Sequence, residues 1–164
     1  MARAIKACYK PPSIMFLQRK ANAMYTLNEG QFIAPPPTWK DTTMNVFRDP
    51  DSPRTLVVAR AEMTTGNTLE EELTLQCQQL QQVATNISIA PFEKVDLLAA
   101  PHVEALETDI RFFRNGGQYY QRQLAILQPD KKRILLFSYT SAAPFDDTDN
   151  TYWQELKHSF TLNG

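Results

Sequence analysis

The triplet Asn115-Gly116-Gly117 lies between two long strand-like runs, Val103 to Phe113 and Gln118 to Leu127. Glycine, and asparagine to a lesser degree, accept the positive φ that a tight hairpin needs. Strands joined by so short a turn can pair only antiparallel, because a parallel pair needs a long crossover. The chain is thereby committed to an antiparallel sheet, and other segments fit around it. Thr55 to Met63 alternates, with Leu56, Val58 and Arg60 on one face and Val57, Ala59, Ala61 and Met63 on the other. Thr42 to Arg48 sets Met44 and Val46 against Asn45 and Phe47. Ile87 to Val95 reads as a further strand. Ile134 to Tyr139 is almost continuously apolar, which places it centrally, covered on both sides. Near the start, Tyr25-Thr26-Leu27 and Gln31-Phe32-Ile33 flank the turn residues Asn28-Glu29-Gly30.

Two helices complete the pattern. Thr68 and Glu71 have capping-box spacing, and Leu69, Leu73, Cys77, Leu80 and Ala84 follow as one stripe with glutamines opposite. Leu75 falls outside that stripe. The acidic run Asp146–Asp149 reads as the capped start of a second helix, with Trp153, Leu156 and Phe160 on one face. The expected class is α+β: a two-layer sandwich with an antiparallel sheet of about seven strands and two main helices.

At 164 residues the chain is about one domain long. A net charge of -1 argues against nucleic acid as a partner, and no apolar run approaches the ~20 residues that span a bilayer. Residues 1–23 differ from the rest. They carry Arg3, Lys6, Lys10, Arg19 and Lys20, no acid, and a Pro11-Pro12 break. They read as a basic, disordered tail before a domain over residues 24–164. Ile14-Met15-Phe16-Leu17 is too short for an export signal, and the thiols of Cys8 and Cys77 suit a reducing compartment, so a cytoplasmic location is expected.

No reaction chemistry stands out. His102 and His158 are far apart in sequence, and the glycine, cysteine and histidine motifs of hydrolases, metalloenzymes and nucleotide binders are missing. No catalytic residue, metal or cofactor is expected, and the chain does not read as an enzyme. Apolar side chains do occur on both faces of several strands. They call for a cover: loops, a second copy of the chain, or an apolar ligand in a groove.

Tyr25-Thr26-Leu27-Asn28-Glu29-Gly30-Gln31-Phe32, with Pro37, Trp39, Asp41 and Thr43-Met44-Asn45-Val46-Phe47, resembles the opening of the DcrB-like family. Within it the chain looks most like the Eag chaperones, the effector-associated proteins of type VI secretion systems. The resemblance runs over Met24 to Leu162. It implies a Mog1/PsbP-like fold and a homodimeric cytoplasmic chaperone without enzymatic activity or stable membrane insertion. Such proteins shield the N-terminal transmembrane helices of PAAR/Rhs effectors and aid loading on the VgrG spike. Carried over, the helix-binding residues would be Met44, Val46, Val58, Ile89, Gln121 and Gln123. Two other roles share the fold: a periplasmic DcrB-like protein and a Mog1-type regulator of a small GTPase.

Overall fold

A computed structural model describes residues 23–36 and 38–162. The tail expected over residues 1–23 lies outside the described residues, apart from Ala23. The chain divides into two compact units, meeting between Lys40 and Asp41. The first contains β1 (Met24–Thr26) and β2 (Gln31–Ile33), an antiparallel pair whose Tyr25 and Phe32 rings lie 5.3 Å apart.

The second unit is a seven-stranded sheet with two helices, the α+β architecture that the sequence predicts. Its strands are β3 (Asn45–Arg48), β4 (Arg54–Glu62), β5 (Thr85–Ile89), β6 (Glu93–Lys94), β7 (Ala105–Arg114), β8 (Gly117–Leu127) and β9 (Arg133–Ser141). The spatial order is β3-β4-β9-β8-β7-β5, with β6 also paired to β7, and every ladder is antiparallel. The hairpin between β7 and β8 turns on Asn115 (φ 49°) and Gly116 (φ 78°), while Gly117 already pairs with Arg114. Two successive positive φ values match the right-handed strand twist. The apolar strand β9 sits centrally, between β4 and β8.

Helix α1 (Leu69–Leu80) opens on the complete Thr68/Glu71 capping box. Helix α2 (Asp147–Ser159) opens on a second box, in which Asp149 N donates to Asp146 Oδ1 and Asp146 N to Asp149 Oδ2. The helices take opposite faces of the sheet. Leu69 and Leu73 of α1 pack with Leu106, Ala125, Leu127 and Ile134, and Cys77 packs with Ile110 and Phe112. Trp153 of α2 packs with Ala105, Leu124, Ile126 and Tyr139, the alternate residues of the same strands. A helix on each face explains why the strands are apolar on both sides.

Candidate binding groove

Paired residues in an antiparallel ladder point to the same face, so the register fixes what shares the α1 side. Val46 pairs with Val57, Val57 with Ser138, Ser138 with Gln123 and Gln123 with Thr108. The next row on that face runs Arg48, Thr55, Thr140, Gln121, Ile110 and Ile89. The α1 clusters take in the β5, β7 and β8 end of these rows. Val46 and Val57 belong to none of the hydrophobic clusters, and Val57, Thr55, Ser138, Thr140, Gln121 and Gln123 are all half-buried. They form a half-buried strip running from the side of α1 to the exposed Val46 at the sheet edge. From β3 to β8 is three strand spacings, roughly 14 Å, wide enough for one helix about 10 Å across.

Of the six residues carried over by resemblance, Val46, Gln121 and Gln123 meet in this strip. Met44 stands two residues before Val46 and is 60% exposed. Ile89 shares the face but packs into the cluster of Cys77 and Leu80, among the core residues beside α1. Val58 pairs with Phe137 and so points to the α2 side, because its neighbour Val57 takes the strip side. The sequence reading missed Val57, Ser138 and Thr140, which the register places between Val46 and the glutamines. On α1, Glu72 accepts from Thr64 N at 3.0 Å, just beyond the end of β4.

The floor carries an incomplete polar chain. Gln121 Nε2 donates to Thr140 Oγ1 at 2.9 Å, and Gln123 Nε2 donates to Gln121 Oε1 at 3.1 Å. Gln123 Oε1 is buried without a partner. Turning both amides over moves the deficit to nitrogen and does not remove it, since each amide has one acceptor end and one donor end. A buried unpaired polar atom costs about 1–3 kcal/mol. Replacing Gln123 and Gln121 together by Leu, which removes the orphan and the bond between the two amides at once, is therefore expected to stabilise the free chain by about 1 kcal/mol, read from denaturant midpoints. A loss of stability would mean that the Gln123 amide is already fully bonded.

The α2 face holds a different arrangement. Asp149 accepts from Arg54 Nε at 2.6 Å, Arg54 Nη2 at 2.8 Å and the Tyr139 hydroxyl at 2.6 Å. The Arg54 guanidinium holds the Asp149 carboxyl well below the usual carboxylate range, and burial pushes the Tyr139 phenol up. These shifts leave neither group suited to exchange protons near neutral pH. A pocket of about 530 Å³ opens beside them, lined by Phe47, Leu56 and Tyr152 among others. Among the described residues no three His, Cys, Asp or Glu side chains gather as for a metal ion, and no helix is long and apolar enough to cross a membrane.

A mixed polar and apolar sheet face, half-buried beside one helix, belongs to an α+β domain with a helix on each face of its sheet. The chain belongs to the DcrB family, which it matches over residues 29–159. None of the curated proteins matches it. It is similar to the crystal structure of the protein of unknown function PA94 from Pseudomonas aeruginosa, with a TM-score of 0.66 and 16% identity over 87% of this chain and 98% of that one. At that identity the likeness shows the fold alone.

Proposed function

We propose that the chain is a cytoplasmic adaptor chaperone, which shields the apolar N-terminal helices of a type VI secretion PAAR/Rhs effector and aids loading on the VgrG spike. The half-buried strip beside α1 is the observation that supports this reading most. Its apolar side, Val46 with Val57, can take a helix out of water at about 1.5–3 kcal/mol for each Leu-sized side chain buried. Its polar side, Gln121 and Gln123 with Thr140, offers amides and a hydroxyl that can answer the polar groups of a guest helix. Holding a helix in this way needs no catalytic residue, metal or cofactor.

The test is co-expression with the effector's N-terminal region, followed by pull-down. Replacing Met44 and Val46 together by Asp sets charge against apolar guest side chains. Capture is expected to fall at least about tenfold, or about 1.4 kcal/mol, with an unchanged circular dichroism spectrum. Both positions are exposed, at 60% and 41%, so the fold loses little. Normal capture by the folded double variant would place the helix elsewhere and end this reading.

A further inference from the structure

We propose that the cleft between the loop after β4 and the turn joining β8 to β9 binds a phosphate-type oxyanion, carried by a small molecule or by a lipid headgroup. The cleft measures about 680 Å³, with residues 62–67 on one wall and residues 130–133 on the other. It gathers three cations against two carboxylates, in a chain whose net charge is -1. Its volume falls in the range of small-ligand sites, roughly 300–1,000 Å³, so an organic phosphate fits as well as the bare ion.

The walls are set before any ligand arrives. Met63 N donates to Lys132 O at 2.8 Å, which ties the loop to the turn. Within the turn, Asp130 Oδ1 accepts from Lys132 N at 2.9 Å and from Arg133 N at 3.2 Å, and Arg133 Nε donates to Asp130 Oδ2 at 2.6 Å. Within the loop, Glu72 Oε2 accepts from Thr64 N at 3.0 Å and from Asn67 Nδ2 at 3.3 Å. Asp130 is thus occupied with its own turn and with Arg133. Glu62, the other carboxylate of the cleft, stands opposite Arg133 in the last rung of β4 and β9.

The donors left over are those that an oxyanion needs. Lys131 and Lys132 line the cleft, are exposed, and form no ion pair among the described residues. On the facing wall the N–H groups of Thr65 and Gly66 and the Thr65 hydroxyl donate to no acceptor among the described residues. Gly66 holds a φ of 91° with nothing within 4 Å of where a side chain would start, so an anion can approach the backbone there. Two neighbouring ammoniums repel each other, and an anion between them offsets that cost. Its bonds to the lysines and the backbone N–H groups are charge-assisted, and so stronger than neutral ones. The start of α1 takes no part, since Thr68 and Glu71 already close it.

The probe is inorganic pyrophosphate, titrated into the full-length chain while backbone amide resonances are followed. Saturable binding with a Kd of about 1 mM or tighter is expected, with the Thr65 and Gly66 amides shifting and the Ser88 amide on β5 unmoved. Lys131→Gln together with Lys132→Gln should weaken binding at least about tenfold with an unchanged circular dichroism spectrum. Lys94→Gln, which removes an exposed cation on β6, should bind as the wild type does. Should the double variant unfold, the wild-type shifts alone decide. Phosphatidylglycerol vesicles separate the two sources: sedimentation with them that pyrophosphate competes away assigns a lipid headgroup, and no sedimentation assigns a free phosphate. No saturable binding, shifts that bypass Thr65 and Gly66, or undiminished binding by the folded double variant would overturn the proposal. No effector enters these measurements, so their outcome is separate from that of the functional reading.

Discussion

Asp149→Ala is expected to destabilise the fold by about 3–5 kcal/mol, the range for removing one partner of a buried ion pair. Asp149 is 2% exposed, and its carboxylate gathers Arg54, the Tyr139 hydroxyl and the backbone N–H of Asp146. The substitution leaves those donors unpaired and removes half of the α2 capping box. It cuts the tie between β4, β9 and α2 at one stroke. Urea denaturation of both chains measures the difference, and a loss below about 1 kcal/mol would show the network to be surface-like. Pairing Asp149→Leu with Arg54→Met should restore much of the stability, since no unpaired charge then remains. The same site predicts the pH response. Its carboxyl is held low in the folded state, so its contribution is complete above the unfolded value of about 3.9. That contribution is lost as the pH falls through the lower folded value. Tyr139 runs the other way: its phenol is raised, so its share is complete below about 10 and lost as the pH rises further.

Leu124→Ala is expected to cost about 2–5 kcal/mol. Leu124 is fully buried at the middle of β8, paired between Glu107 and Phe137 and clustered with Leu97, Tyr139 and Trp153. Alanine there loses the transfer energy of the side chain and leaves a cavity that sheet and helix can only partly close. Leu75→Ala is the control. Leu75 is 43% exposed on α1, outside the stripe that packs on the sheet, and should change stability by less than about 0.5 kcal/mol. Equal effects at the two positions would mean that the core is wrongly placed.

The sheet was legible wherever turn chemistry or apolar continuity left one choice. Asn115-Gly116 fixed the hairpin, and the apolar run of β9 marked the centre. Boundaries shifted where side chains or proline compete with the ladder. Thr43 N and Oγ1 both donate to Asp41 Oδ1, and Arg60 Nη1 donates to Thr43 O, so the strand expected from Thr42 begins only at Asn45. Pro91 has no N–H to give, and the run Ile87 to Val95 breaks there into β5 and β6. Periodicity said which residues of a strand share a face; it could not say which helix lies over that face. That choice placed Val58 with α2 and away from Val46, and it left Ser138 and Thr140 unnoticed between the predicted site residues. A groove floor assembled from four strands is set by register, and register across β4, β9 and β8 joins segments too distant in sequence for periodicity to link.

Strand β9 is made almost last yet lies in the middle of the sheet. During synthesis β3 and β4 can pair with each other as soon as they emerge, but β4 meets its inner neighbour only after residues 133–141 have left the ribosome. Until then β7 and β8 form a separate hairpin, and the two halves wait unjoined. Contacts so distant along the chain make closure slow compared with local helix formation. Folding must therefore wait for β9, and a truncated chain that stops before β9 should expose the apolar edges of both halves. Supply of the working protein would be limited by completion of β9, whatever the rate at which the earlier strands appear.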